Sequence, residues 1–334
     1  MNEGGYGTGA APEATTEQRH AAGDGSASSR VRRSRPPERD RPPTRRPGVA
    51  GFTIFFGPLI AFYAVFYFFS AAFLIRTSFQ DVSLSLRNAV QVGWENYRLL
   101  LDDPRFIDAL RNNFVFAGAS IGAAVTIGFF IAVALWAGVR GRSMFYAAFL
   151  LPSLMPIALV ASVFRTMLEA RHGAVNELLR DVGLGSFAQR WLVNPDLAYG
   201  VIIIMFVYLI GLPILYYTAN LAVINTSLLE SAVLDGARPL RLMYGIIFPI
   251  MKSTHKTVTI STVLISFRAF DIVFFSTRGG PAGRTEITGT YVYNFTTSGT
   301  NVGFASAAAV VVLLISLLVS AIQLRIYRHE GRPR

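Results

Sequence analysis

Cysteine is absent from the 334 residues, which removes structural disulfides, thiolate metal sites and cysteine nucleophiles together. Charge is scarce as well: 15% of the residues are Asp, Glu, Lys or Arg against 52% hydrophobic ones, and the mean hydropathy is +0.43. A water-soluble domain needs charged side chains to cover its surface, whereas a chain facing lipid can leave most of its side chains apolar. The composition therefore predicts a membrane protein. There is no glycine-rich phosphate loop ending in Gly-Lys-Ser or Gly-Lys-Thr, which excludes ATP hydrolysis by that route. The four histidines (His20, His172, His255, His329) lie far apart and without metal-ligand spacing, so neither a metal site nor the convergent polar site of a membrane enzyme is indicated.

What is present divides sharply near Gly48. Residues 1–48 are rich in Gly, Ala, Ser, Thr, Pro and Arg, and a segment so poor in large apolar side chains cannot bury enough surface to fold. It holds nine arginines (Arg19, Arg30, Arg32, Arg33, Arg35, Arg39, Arg41, Arg45, Arg46) against six acids. A nucleic-acid-binding arm would carry such charge. A disordered basic tail directly before an apolar run is better read as holding that end in the cytoplasm beside anionic lipid, with no nucleic-acid partner. The apolar run is too long for the core of a signal peptide and ends at Arg76 without a clear cleavage context, and Arg32-Arg33 lacks the rest of a twin-arginine signal.

A membrane-crossing helix needs about 20 mainly apolar residues. Stretches at about 51–75, 114–137, 144–164, 198–218, 257–275 and 304–326 qualify, so the expected fold is an all-α, six-span membrane domain over 49–330. Pro152 and Pro156 interrupt the third span, which neighbouring helices can tolerate by re-satisfying the freed carbonyls. With the N-terminus inside, 19 Lys and Arg fall on the cytoplasmic side, and the eleven outside are offset by ten acids from Asp81 to Glu286. Both termini are thus expected in the cytoplasm of a bacterial cell, the chain crossing its plasma membrane several times.

In that topology the inner segment 225–250 stands out. It reads Leu229-Glu230-Ser231-Ala232-Val233-Leu234-Asp235-Gly236-Ala237-Arg238-Pro239-Leu240-Arg241, then Gly245-Ile246-Ile247-Phe248-Pro249. A carboxylate near the start of one short helix, a Gly where the chain must turn and a Pro suited to the first turn of a second helix predict two short helices set at an angle. Such a shape can dock in a groove of a soluble partner. The segment resembles the EAA signature of the permeases of ABC importers, with Glu230, Ala232, Gly236, Ile246 and Pro249 at its spacings and Ser231 and Phe248 as mild departures. Trp94-Glu95-Asn96-Tyr97, Asn112-Asn113-Phe114, Leu151-Pro152 with Pro156, Phe270-Asp271 and Thr277-Arg278-Gly279-Gly280-Pro281 resemble the sugar-importer branch, the type of the larger maltose permease. The likeness covers most of 50–326 and omits the tail.

The resemblance implies the type I importer permease fold and a division of labour. This chain would pair with a second, similar permease, and two ATP-binding-cassette subunits would dock below and bind ATP-Mg, so that no cofactor sits on this chain. An extracytoplasmic solute-binding protein would deliver a sugar or sugar-like solute. Glu230, Ser231, Ala232, Asp235, Gly236, Ile246 and Pro249 would then couple the ATPase to the path, Gly236 making the bend. The solute-contacting face of the family falls on Thr262, Ile265, Ser266 and Ala269, with Gly211 beside Pro213 as a further contact. The aromatic and amide groups of the maltose site are missing, so maltose itself is not expected. Small residues on one helical face also serve close packing, and that reading stays open. Arg268 and Asp271 are the clear charges inside a span, either lining an outer gate or neutralising each other three residues apart. Permeases for polyamines, phosphate or amino acids share the signature and remain an alternative. A secondary transporter would be expected to show ionisable groups at mid-membrane and paired broken helices, which are not evident.

Overall fold

The computed structural model describes residues 49–85, 89–297 and 301–329. The basic tail expected for 1–48 lies outside them. The chain divides into two units, Met1–Pro58 and Leu59–Arg334. Of the first unit, the described residues 49–58 begin the helix Val49–Tyr63. The second unit contains the remaining helices and a single two-stranded ribbon, Gln80–Asp81 antiparallel to Val90–Gln91, among the described residues.

Among the described residues, four helices are long and apolar enough to cross a bilayer: Phe52–Ser78, Pro104–Trp136, Ala198–Leu221 and Val302–Ile326. Two further spans are bent pairs, Arg142–Leu154 with Ile157–Met167 at 104° and Lys252–Phe267 with Phe270–Ser276 at 47°, which makes six. The second span starts ten residues earlier than its apolar run, because Asp103 caps it and Pro104 occupies its first turn: the Asp103 carboxylate accepts the Arg105 N–H at 2.9 Å. Beyond the fifth span a further helix, Thr288–Thr297, precedes the sixth.

The breaks have chemical causes. Pro213 has no N–H to give the Leu209 carbonyl one turn back, and the fourth span is interrupted there, between Ala198–Val207 and Gly211–Leu221. Ser153, at the end of the first half of the third span, fills the gap. Its Oγ donates to the Leu209 carbonyl at 3.0 Å and accepts the Gly211 N–H at 3.0 Å. One hydroxyl thereby repairs the backbone of a neighbouring span at the point where its own span turns at Pro156. Three apolar clusters make up most of the interior, the first around Phe129, Ile214 and Tyr217, the second around Phe116, Ile202 and Ile272, and the third around Leu100, Phe106 and Tyr291. Outward faces such as Leu313, Leu314, Leu317 and Leu318 stay exposed, as a lipid-facing surface does.

Candidate functional site

The segment between the fourth and fifth spans folds as two short helices. Asn225 caps the first, Thr226–Leu234, its side chain accepting the Ser227 N–H at 3.1 Å. The helix closes at Gly236, whose φ of +81° places it in the left-handed region. The N–H of Ala237 reaches back to the Ala232 carbonyl at 2.9 Å and that of Gly236 to Val233 at 3.0 Å, a Schellman closure that glycine favours because it has no Cβ. Pro239 then opens the second helix, Pro239–Ile250, which includes a wide turn at Met243–Ile247. Leu229 and Ile247 are buried and anchor the pair to the core beside Met251 and Tyr217.

Of the remaining signature residues, Ile246 also packs against that core, and most of the others lie open. Glu230, Ser231, Asp235, Gly236 and Pro249 are exposed, and Ala232 and Ile246 are half-buried. Around the bend Leu234 is 88% exposed, with Leu240 at 68% and Val233 at 56%. The turn thus presents an open apolar cluster beside Gly236.

The solute-contact residues separate into two groups. Thr262 and Ile265 border a cavity of about 170 Å³ between the second, third, fourth and fifth spans, together with Ser120, Ser153 and Pro213. Ser266 and Ala269 are fully packed, the Ser266 hydroxyl donating to the Thr262 carbonyl at 2.7 Å and Ala269 lying in the apolar core. Gly211 permits close approach of the third span, for a Cβ there would sit 2.3 Å from the Phe149 carbonyl oxygen. Arg268 and Asp271 flank the break of the fifth span and form no ion pair with each other among the described residues. Arg268 is exposed at the C-terminus of one half, and Asp271 lies in the first turn of the other, where a carboxylate suits the helix dipole.

At the end of the spans opposite the two-helix loop, the structure assembles a polar cluster that sequence reasoning missed. Glu286 is buried and takes both arms of Arg105, at 3.0 Å to Oε2 and 2.9 Å to Oε1, plus the Asn294 amide at 3.0 Å. Asn112 donates to the Glu286 carbonyl at 2.8 Å, and the Asn113 oxygen accepts both the N–H and the hydroxyl of Thr288 at 2.8 Å. The Tyr291 hydroxyl donates to Asp103, and burial followed by that bond pushes its phenol well above the ordinary value. These contacts pin the 277–297 segment to the start of the second span. The Asn112-Asn113 pair was the one trace of the cluster in the sequence.

The family of inner membrane components of binding-protein-dependent transport systems matches residues 124–330. The chain belongs to that family. This permease is 27% identical to the sulfoquinovosyl glycerol transport system permease protein of Agrobacterium fabrum, over 78% of this chain and 85% of that one. It is 29% identical to the multiple sugar-binding transport system permease protein of Streptococcus mutans, over 83% and 94%. A solved bacterial alginate ABC transporter, in complex with an alginate pentasaccharide-bound periplasmic protein, superposes with a TM-score of 0.70 at 20% identity, over 84% of the permease and 95% of the matched chain. That likeness gives the fold, an ABC importer permease. The permease is therefore a multi-pass membrane component of an importer and a transport subunit rather than an enzyme.

Proposed function

We propose that this permease carries a sugar or sugar derivative across the plasma membrane, paired with a second, similar permease and driven by two ATPase subunits that bind ATP-Mg and dock on the 225–250 loop. The observation that supports the docking is the loop itself, where Glu230 and the open apolar cluster of Leu234, Val233 and Leu240 flank a bend fixed by Gly236. Docking there would let an ATPase move Leu229 and Ile247, and with them the core against which the second, fourth and fifth spans pack. The sugar assignment draws on the solutes named for the relatives. Thr262 and Ile265 would contact the solute from a cavity of about 170 Å³, smaller than the roughly 300–1,000 Å³ of small-molecule sites, so a second permease would complete it. The basic residues support an N-inside, C-inside orientation, with a solute-binding protein meeting the opposite face.

The test is reconstitution of this permease with a second permease, ATPase and binding protein in liposomes. ATP-dependent accumulation of the sugar that the binding protein carries is expected, and none should occur when the ATPase is omitted. Accumulation independent of ATP would overturn the reading. Reporter fusions at Arg334 and within 165–195 should fall on opposite sides of the membrane, and the same side for both would overturn the orientation.

A further inference from the structure

The two bent spans pack on each other through Ile157–Met167 and Phe270–Ser276, and beside the last turns of these half-spans lies a cavity of about 400 Å³. It lies at the end opposite the two-helix loop and has the size of a small-molecule site. Arg165, Thr166 and Glu169 border it on one side, and Phe274, Phe275 and Arg278 on the other. Neither guanidinium has a carboxylate partner among the described residues. Glu169 is turned towards its own chain, its Oε2 accepting the N–H of His172 at 2.6 Å and of Arg171 at 2.9 Å. Two cations thus face one carboxylate, one of whose two oxygens is already engaged.

Arg278 is held in place at a conformational cost. Its φ of +55° is in the left-handed region, disfavoured for a residue with a Cβ, and such outliers persist where the surroundings enforce them and cluster at ligand clamps. The enforcing contacts are present: Arg278 N–H to the Val273 carbonyl at 2.9 Å, the Thr277 and Thr285 hydroxyls at 2.7 Å, and Thr285 to the Gly280 carbonyl at 2.6 Å. The guanidinium rests 5.8 Å from the centre of the Phe274 ring. A guanidinium fork matches the geometry of carboxylate, phosphate and sulfonate, and a half-exposed aromatic face suits the apolar face of a sugar ring.

We propose that this cavity is an entry subsite for an oxyanion on the arriving solute, Arg165 and Arg278 gripping its charge and Phe274 and Phe275 its ring, so that the imported sugar is an acidic one. The proposal rests on the sugar-permease reading. The same oxyanion chemistry occurs in lipid headgroups, and the test separates the two sources.

The purified importer complex in nanodiscs of phosphatidylcholine alone is titrated with D-glucuronate and with D-glucose, binding being followed by saturation-transfer NMR. Glucuronate binding that inorganic sulfate displaces is expected, at least tenfold weaker in the R165Q/R278Q double variant, with glucose giving no comparable signal. Arg171→Gln, outside the cavity, should leave it unchanged, and R165K/R278K should fall between parent and double variant if the forks matter. Equal binding by parent and double variant, or equal signals for glucose and glucuronate, would overturn the subsite. Nanodiscs containing phosphatidylglycerol that abolish the glucuronate signal would assign the arginines to lipid and overturn the solute assignment. The ligand carried by the co-purified binding protein, identified by mass spectrometry, separates the two levels. A neutral sugar overturns the acidic class and leaves the sugar reading standing, whereas a non-carbohydrate ligand overturns the sugar reading itself.

Discussion

The hydroxyl of Tyr217 and Nδ1 of His255 lie 2.6 Å apart, while Nε2 of the same ring lies 3.0 Å from the Phe248 carbonyl oxygen. A carbonyl can only accept, so Nε2 donates, and in the neutral ring Nδ1 accepts the tyrosine proton. Three elements meet at this imidazole: Tyr217 on the fourth span, His255 on the fifth, and Phe248 on the second loop helix. Phe129 of the second span stacks its ring edge-on at 5.6 Å. The joint ties the loop to the spans that it would move.

Tyr217→Phe removes the donor and leaves Nδ1 buried without a partner, at a cost of about 1 kcal/mol. The expected result is a small fall in the unfolding midpoint in detergent together with weaker coupling, that is, more ATP hydrolysed per solute accumulated. An unchanged ratio of hydrolysis to uptake would detach the joint from transmission.

The Arg105 and Glu286 pair predicts an asymmetry. Glu286 is 3% exposed and its partner 55%. Arg105→Gln strands a buried carboxylate with Asn294 as its remaining side-chain partner and should cost about 3 kcal/mol, whereas Glu286→Gln releases a guanidinium that water can reach and should cost about 1 kcal/mol. Thermal unfolding of the two variants in detergent checks the order, and a reversed order would mean that Arg105 has no stabilising part.

The contrast between these two sites shows what could be read from sequence. The six spans are legible because apolar runs of bilayer length are rare outside membranes, and the loop is legible because its signature is local, from Glu230 to Pro249. The break at Arg268–Ala269 has no Pro or Gly to announce it. Arg105 and Glu286 are 181 residues apart, and each looks like an ordinary loop charge until the chain folds. Gly211 stood out in the sequence only as a solute contact near Pro213, whereas its close approach to the Phe149 carbonyl depends on where the third span turns.

That close approach gives a prediction of its own. Gly211→Ala would place a methyl 2.3 Å from backbone oxygen that cannot swing away, costing about 3 kcal/mol, while Gly118→Ala and Gly122→Ala on the second span meet nothing within 4 Å and should be neutral or slightly stabilising. Yield of folded protein and unfolding midpoint read the difference. Full stability of the Gly211 variant would show that the third and fourth spans separate more readily than their packing implies.

The bend at Gly236 separates coupling from stability. No atom lies within 4 Å of where its Cβ would be, so the glycine is required by its φ of +81° and not by crowding. Gly236→Ala must then cost on the order of 1 kcal/mol, and the branched Gly236→Val more, by disfavouring the left-handed turn that sets the angle between Thr226–Leu234 and Pro239–Ile250. Because the bend is exposed and bears on no packed span, the membrane domain should remain folded in both variants. Glu230→Lys leaves the bend intact and reverses the charge beside the exposed apolar cluster, at the middle of Thr226–Leu234 rather than near its start as the sequence suggested. The three variants are compared in purified complexes by co-elution of the ATPase, by its stimulation with loaded binding protein, and by uptake in liposomes. Uptake should fall in the order Ala, then Val, with Glu230→Lys releasing the ATPase or abolishing its stimulation, while the unfolding midpoint of the membrane domain stays near that of the parent. Normal stimulation and uptake in both Gly236→Val and Glu230→Lys would remove the loop from the coupling path.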